Sequence, residues 1–275
     1  MSNIYKIDLN KIRLENLKEV FSILEDHLSR LDVNFYLIGA VAKDMWMSGV
    51  HDVMLSRITN DLDLAVFVEN ENQYENLKTE LINTGRFSAL KSSRYTFLFD
   101  SRTQIDILPF GGLNIDGLNL SHSIALTAIP NGFAEVFKKG TAQLEIQGHV
   151  FAVSTLPGIV LLKLISYDDR PENRYKDLKD IANIVEHYDY MMGEVLFEEE
   201  YLDLLELDSR LTISAQLLGR QILPIISDSP MLVERVLRIL DKYSLYLEDK
   251  TFEKEVEIRI DVLKEIRTGF VFFYR

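Results

Sequence analysis

Two aspartates separated by one residue, Asp61 and Asp63, open the run Asp-Leu-Asp-Leu-Ala-Val-Phe-Val. In a strand these two side chains point to one face, about 7 Å apart along the backbone. Two carboxylates on one face repel each other unless a cation lies between them. A third acid, Asp106, stands between Ile105 and Ile107, where an unpaired carboxylate is costly to bury. It must therefore reach solvent, a base or a metal.

Oxygen ligands of this kind favour Mg²⁺, with Mn²⁺ as the alternative, and the chain has no cysteine to offer a zinc ion. Three aspartates on adjacent strands can hold two such ions roughly 3.5–4 Å apart, and this pair stabilises the attacking and leaving oxygens of an in-line phosphoryl displacement. The simpler interpretation is that Asp61 and Asp63 cap a turn while Asp106 forms a salt bridge. The elements around the acids bear on this choice.

Short apolar runs and helical periods alternate through the first half of the chain. Residues 35–38 predict a strand, Gly39 a tight turn, and the residues after it a helix. Four residues, 100–103, join the strands predicted over 95–99 and 104–108, and this short connection favours an antiparallel hairpin. The other elements expected there are a helix over 10–31 with Asn10 as N-cap, a strand over 62–68, a helix over 73–82, and strands over 95–99 and 104–108.

The pattern changes twice in the second half. Residues 109–154 are rich in Gly, Asn and Thr and predict an irregular, β-rich extension of the sheet. From Thr155, a predicted N-cap, every periodic segment is helical, with Leu-rich periods near 175–188, 197–206, 209–220 and 229–247. The apolar end, 270–274, is expected to pack onto these helices. We therefore expect an α+β domain over 1–154 and an α-helical domain over 155–275.

Three segments, in this order, resemble the nucleotidyltransferase core of the DNA polymerase β superfamily: Gly39-Ala40, Thr59-Asn60-Asp61-Leu62-Asp63-Leu64-Ala65 and Ile105-Asp106-Ile107-Leu108. Across roughly 30–190 the chain also resembles the abortive-infection (AbiEii-type) toxin nucleotidyltransferases, through 37–44, 57–63, Lys163, Asp169-Arg170 and 176–181. The resemblance implies a mixed sheet with flanking helices and a helical domain that completes a nucleotide cleft. It also implies transfer of a nucleoside monophosphate from an NTP to an acceptor hydroxyl, with Mg²⁺ bound by Asp61, Asp63 and Asp106.

The same resemblance implies that Gly39 and Ala40 cradle the triphosphate and that Lys163 contacts its β- and γ-phosphates. Further candidates for the nucleotide are Lys43, Arg57, Thr59, Arg170, Arg174 and Lys176. Simpler interpretations remain open. Lys163 can extend its ammonium to solvent, Lys43 and Arg57 can pair with Asp44 or Asp52, and the 176–180 pair can form an ion pair worth about 0.3–0.5 kcal/mol.

Two features depart from the superfamily pattern. The turn is usually Gly-Gly or Gly-Ser, whereas Ala40 follows Gly39 here and offers no hydroxyl to a phosphate. The gap from the turn to Asp61 is also longer, and we expect an inserted loop around 48–56 to account for it. Ala40 is the feature that favours the alternative function class, a non-catalytic nucleotide-binding or interaction module on the same fold.

The charge balance restricts the partners. The chain of 275 residues has 30 Lys and Arg against 43 Asp and Glu, a formal net charge of −13. The surplus divides into −5 over 1–154 (14 basic, 19 acidic) and −8 over 155–275 (16 basic, 24 acidic). Neither half suits a surface that coats DNA or an anionic membrane, and an RNA would have to be gripped locally. The acceptor stays open between a tRNA or other RNA end, a small hydroxylated molecule and a protein side chain.

Localisation follows from what the sequence lacks. No basic segment leads into an apolar stretch at the N-terminus, and no apolar run approaches the roughly 20 residues that span a bilayer. We expect a cytoplasmic protein without a membrane partner. The toxin resemblance adds an antitoxin as an expected partner.

Overall fold

In a computed structural model of the chain, the described residues are 4–8, 11–12, 17–54, 59, 61–111, 131–146, 148–245 and 254–274, with the backbone alone for 245 and 254–260. The predicted N-cap Asn10, the candidate Arg57 and the stretch 112–130 lie outside them. The chain divides into two units. The first combines Met1–Ala134 with Thr141–Ser154, and the second combines Glu135–Gly140 with Thr155–Arg275.

The first unit is built on one mixed sheet. Its strands are β1 (Ile4–Lys6), β2 (Phe35–Ile38), β3 (Asp61–Val68), β4 (Phe87–Ala89), β5 (Thr96–Phe99), β6 (Thr103–Gly111), β7 (Thr141–Ile146) and β8 (His149–Ser154). Within the described residues their order is β1-β7-β8-β2-β3-β6-β5-β4. Three neighbouring pairs are parallel, β1 with β7, β2 with β8 and β3 with β6, and the other pairs are antiparallel. The predicted β5–β6 hairpin and the α+β class are confirmed.

The helices of this unit pack their apolar stripes against the sheet and against each other. α1 (Leu17–Arg30) buries Val20, Leu24 and Leu28 at helical spacing, as the sequence predicts. α3 (Glu71–Asn83) buries Tyr74, Leu77 and Leu81, and its N-cap, Asn70, accepts a hydrogen bond from the Gln73 amide at 3.0 Å.

The segment after the Gly39 turn is helical for longer than expected. α2 (Gly39–Asp44) continues into a π-helix, Met45–Val50, so the predicted loop around 48–56 is wrong for residues 48–50, and 55–56 lie outside the described residues. The physical reason is burial. Met45, Trp46 and Met47 are all buried, and Trp46 donates from Nε1 to the Ser154 carbonyl at 2.8 Å.

The second unit is helical. Its elements are most of α4 (Phe133–Lys139), α5 (Leu156–Asp169), α6 (Tyr175–Met191), two 3-10 helices (Val195–Phe197 and Glu199–Glu206), α7 (Arg210–Ile226), α8 (Pro230–Leu245) and α9 (Lys254–Phe272). Thr155 caps α5 as predicted, because its Oγ1 accepts from the Gly158 amide at 3.4 Å and donates to the Gly140 carbonyl at 3.0 Å. The β-rich interpretation of 109–154 is wrong for α4, whose Val136 is fully buried.

α7 and α9 cross in backbone contact. A Cβ on Gly219 would lie 2.1 Å from the Ile266 carbonyl oxygen, and one on Gly269 would lie 2.0 Å from the Gln216 carbonyl oxygen. The apolar C-terminus packs onto this unit in part. Phe270 is fully buried, whereas the aromatic residues after it stay 43–49% exposed.

None of the helices in the described part of the chain has both the length and the apolar character that crossing a bilayer requires.

Candidate active site

The predicted acids lie on two adjacent parallel strands. β3 and β6 pair so that Asp63 stands beside Asp106 and Asp61 beside Gln104. Neighbouring strands are about 4.8 Å apart, and paired residues point to the same face of a sheet. All four side chains are half-buried on that face. The alternating apolar residues, Leu62, Leu64, Ile105 and Ile107, are buried on the other.

Gly39 lies directly against one of these acids. β2 ends at Ile38, which pairs with Asp63, and Gly39 follows with φ +71° at the start of α2. A Cβ on Gly39 would lie 2.0 Å from Asp63 Oδ2 and 2.7 Å from its Cγ. The carboxylate therefore occupies the space that any side chain at position 39 would need. The structure thus brings Gly39, Asp63 and Asp106 together.

A residue that the sequence interpretation missed contacts the third acid. The Gln104 side-chain amide donates to Asp106 at 3.2 Å (Oδ2) and 3.4 Å (Oδ1). The signal was present in the sequence, because Gln104 and Asp106 are two residues apart in the same alternating strand and must share a face. The Gln104 amide gives the Asp106 carboxylate a neutral donor, which offsets part of the repulsion from the neighbouring carboxylates.

Two hydroxyl groups lie close to the acids in space or in sequence. Tyr74 donates to the Ile107 carbonyl at 2.8 Å. Burial raises the pKa of Tyr74, and the charges of Tyr95, Glu75 and Asp106 raise it further, so this phenol stays protonated. Thr59 is buried, and among the described residues no group forms a hydrogen bond with its Oγ1. A buried hydroxyl without a partner is costly, which makes this position suited to a polar ligand.

The acids fit a hard divalent cation by donor type and by register. As their side chains stand, however, no three acidic or histidine residues in the described ranges converge closely enough to hold a metal ion. Asp63 lies over Gly39, and Asp106 accepts from Gln104. The residues at hand thus supply the ligand atoms for a cation, and the metal site formed by the three aspartates stays a prediction.

The basic residue after the turn is buried. Lys43 is 1% exposed and its Nζ lies 3.4 Å from Asp44 Oδ1, which is also buried. The structure thus contains the contact of Lys43 with Asp44, which is the simpler interpretation of this lysine. Asp52 instead contacts Lys11.

Lys163 has a setting that the sequence did not predict. It is 8% exposed on α5, and its Nζ donates to Asp177 and Asp180 of α6, at 2.8 Å each. Burial alone lowers the pKa of this ammonium, but the charges and hydrogen bonds of the two aspartates outweigh it and raise the pKa above its ordinary value. A role in phosphate binding stays a prediction; two of the three N–H donors of the ammonium go to the carboxylates.

The other predicted basic residues of this unit are more accessible. Arg170 and Arg174, which flank the turn between α5 and α6, are half-buried, and Lys176 in the first turn of α6 is exposed. Their predicted contact with a nucleotide stays a prediction.

No protein-family model matches the chain, and no curated protein matches it either. Among solved structures, it aligns with an antigenic nucleotidyltransferase-like protein from Paracoccidioides brasiliensis at 16% identity and a TM-score of 0.43, over 72% of this chain and 93% of that one. It aligns with a solution structure of the antibiotic-resistance factor ANT(2'')-Ia at 12% identity and a TM-score of 0.37, over 68% of this chain and 94% of that one. It also aligns with a crystal structure of ANT(2")-Ia in complex with adenylyl-2"-tobramycin, at 12% identity and a TM-score of 0.39, over 72% of this chain and 97% of that one. All three TM-scores lie below 0.5, so the interpretation of the site rests on its own geometry.

Proposed function

We propose that the chain is a divalent-metal-dependent nucleotidyltransferase that moves a nucleoside monophosphate from an NTP to an acceptor hydroxyl. The observation that carries the proposal is the placement of three residues. Asp63 and Asp106 are in register on adjacent parallel strands, and Asp63 lies over Gly39 at the turn between β2 and α2. The carboxylates can bind a cation, and the strand-to-helix turn beside them can bind the phosphates of an NTP.

Asp63 and Asp106 would hold Mg²⁺ or Mn²⁺, joined by Asp61 from the same face, and the cation would supply Lewis-acid stabilisation of charge on the phosphates. Two features of the chain support a polar ligand here. One is Gly39, whose lack of a side chain leaves the space beside the turn to the Asp63 carboxylate, a ligand for a cation. The other is the buried Thr59 hydroxyl, which among the described residues has no hydrogen-bond partner.

The surrounding residues have separate tasks. Gly39 and Ala40 begin α2, and the first amides of a helix have no acceptor within the helix, so they can donate to a phosphate oxygen. Gln104 orients the Asp106 carboxylate. Asp106 would accept the proton that the acceptor hydroxyl loses when its oxygen bonds to the α-phosphorus and pyrophosphate leaves.

A labelling experiment tests the reaction type. The purified full chain is incubated with Mg²⁺ and each α-³²P NTP together with an RNA fraction, a protein fraction or a small-molecule fraction of a cell lysate. We expect label in one fraction, dependent on the divalent cation. A γ-³²P NTP is the control, because nucleotidyl transfer leaves its label in pyrophosphate. Label from the γ position alone would mean phosphoryl transfer and would contradict the proposal.

The acceptor class has its own test. An RNA acceptor should lose binding steeply with rising salt, because phosphate contacts release counterions. A small or protein acceptor should show a flat response. A toxin-like role adds the expectation that expression of the active chain slows growth, whereas expression of the Asp63→Asn chain does not.

A second candidate function is a non-catalytic nucleotide-binding module. It is favoured by Ala40 in the turn, which offers no hydroxyl to a phosphate. Calorimetry with MgATP, MgCTP and MgGTP separates the two functions. Binding of a nucleotide without labelled product in any fraction would favour the module.

A further inference from the structure

The 3-10 helix Glu199–Glu206 presents three different faces. With three residues per turn, residues three apart lie on one side. Tyr201 and Leu204 are buried, at 6% and 1% exposure. Leu202 and Leu205 form a second row that is 46% and 44% exposed. The third row is acidic: Glu200, Asp203 and Glu206.

Arg220 of α7 joins this helix to the aromatic end of α9. The arginine is 1% exposed; its Nη1 and Nη2 donate to the Asp203 carboxylate at 2.7 and 2.5 Å, and Nη1 also donates to the Glu200 carbonyl at 3.0 Å. Its Cζ lies 3.6 Å from the centroid of the Phe272 ring, and the Phe273 ring follows 5.0 Å from that ring. Phe272 and Phe273 are 46% and 43% exposed. The buried Arg220 guanidinium thus holds in place both the 3-10 helix that carries Leu202 and Leu205 and the aromatic end of α9.

We call the exposed residues Leu202, Leu205, Phe272, Phe273 and Tyr274 the Leu–Phe surface. Large apolar side chains held in place at such exposure are typical of an interaction site. Rigid aromatic anchors lose little conformational entropy on binding, and the Arg220 contacts hold Phe272 and Phe273 in position.

The chain segment that carries Leu202 and Leu205 has charged side chains of one sign. Between 194 and 208 the chain has seven acidic residues, Glu194, Glu198, Glu199, Glu200, Asp203, Glu206 and Asp208, and no Lys, Arg or His. Arg220 pairs with Asp203 alone among them. Acidic side chains beside exposed leucines and phenylalanines complement a ligand that carries cationic and apolar groups together.

We propose that the Leu–Phe surface docks a cationic amphipathic segment of a partner protein. The apolar face of that segment packs on Leu202, Leu205, Phe272 and Phe273, and its Lys or Arg side chains meet the glutamates of 198–206. A second copy of this chain would bring the same acidic residues against themselves, and nucleic acids and anionic membranes would be repelled, so the charge selects a basic protein segment. The proposal does not depend on the nucleotidyl-transfer activity.

Binding of two synthetic peptides to the full chain tests whether the partner segment must be cationic. Fluorescence anisotropy is measured with a labelled amphipathic peptide built from Lys and Leu at helical spacing, and with a second peptide in which Glu replaces Lys. We expect the Lys peptide to bind, with affinity that falls as salt rises, and the Glu peptide not to bind. Equal binding of both peptides, or no binding of either, would overturn the proposal.

Two matched double variants test whether the peptide binds to the Leu–Phe surface. Leu202→Ser with Phe273→Ser should weaken binding of the Lys peptide by about tenfold or more, the size expected for loss of anchor residues. The control is Tyr190→Ser with Met231→Ser, which removes two side chains of the same unit that are each 66% exposed; it should change binding less than about twofold. Thermal unfolding of both variants checks that the fold is kept.

Each remaining outcome decides against the proposal. If the control pair weakens binding as much as the Leu202–Phe273 pair, the peptide binds to acidic surface in general. If the wild-type chain sediments as a dimer and the Leu202–Phe273 variant as a monomer, the occupant is a second copy.

Discussion

The Asp63 carboxylate occupies the space beside Gly39 in which a side chain at that position would lie. A Cβ on Gly39 would be 2.0 Å from Asp63 Oδ2, and the glycine has φ +71°. Glycine therefore meets two requirements here. It adopts a left-handed backbone conformation that other residues reach at a cost, and it leaves room for the acid that the proposed mechanism assigns to the cation.

Replacing this glycine should impair both stability and binding. In Gly39→Ala the left-handed conformation costs about 1–2 kcal/mol of unfolding free energy, and the methyl group forces Asp63 to move. We expect Mn²⁺-dependent nucleotide binding to be lost. Chemical denaturation measures the first effect, and calorimetry with an NTP and Mn²⁺ measures the second.

Gly85 provides the matched control. It has φ +73°, and in the described part of the chain no heavy atom other than those of Gly85 and its two chain neighbours lies within 4 Å of the Cβ position. Gly85→Ala should lose a similar amount of stability and keep nucleotide binding. If Gly39→Ala binds Mn²⁺ and nucleotide as the wild type does, then the contact between Gly39 and Asp63 has no part in the site.

Gln104 should influence turnover through Asp106. Gln104→Met keeps the size of the side chain and removes the amide that donates to the carboxylate at 3.2 Å. A hydrogen bond to a charged group is worth about 1.5–3 kcal/mol, so we expect kcat to fall roughly tenfold or more while the KM for the NTP changes little. Steady-state kinetics with labelled NTP measure both. Gln143→Met, on β7, is the control, and an equal loss in that variant would contradict the assignment.

The buried ion triad of the second unit predicts a stability effect with a defined pH dependence. Lys163→Met removes the ammonium that donates to Asp177 and Asp180, which are 7% and 2% exposed. Breaking a buried pair in this way costs about 3–5 kcal/mol. Lys264→Met, on the exposed side of α9, should cost little.

The sign of the pH effect follows from the raised pKa of Lys163. A group whose pKa is higher in the folded state stabilises the fold fully below its unfolded value, about 10.4, and loses that contribution as pH rises through the folded value. The difference in unfolding free energy between wild type and Lys163→Met should therefore be constant from about pH 7 to 9 and shrink at higher pH. Denaturation at several pH values measures it. A difference that is zero at neutral pH would contradict the triad.

The sequence predicted the strands of the site well because burial on one face imposes a period of two. Leu62, Leu64, Ile105 and Ile107 determine which face Asp63 and Asp106 occupy. Their exact neighbours depend on the register between β3 and β6, strands that lie far apart in the chain, and no local pattern specifies it.

Other features could not be obtained from local patterns. The long gap from the turn to Asp61 predicts an inserted loop that includes residues 48–50, but burial of Trp46 and its neighbours extends the helix instead. The family resemblance assigns Lys163 to phosphate, but the carboxylates that it contacts are 14 and 17 residues away on the next helix. Pairings between helices are tertiary facts that periodicity does not encode.

The central claim is that Asp63 and Asp106 carry metal-dependent nucleotidyl transfer, and the most direct test is label transfer from an α-³²P NTP by Asp63→Asn and Asp106→Asn. Glu69→Gln, an exposed acid just after β3, is the control. Loss of a metal-binding carboxylate removes several kcal/mol of transition-state stabilisation, so both aspartate variants should lose about 10³-fold or more of the rate while unfolding like the wild type. The Glu69→Gln variant should retain full activity. Transfer at the wild-type rate by folded Asp63→Asn would contradict the account.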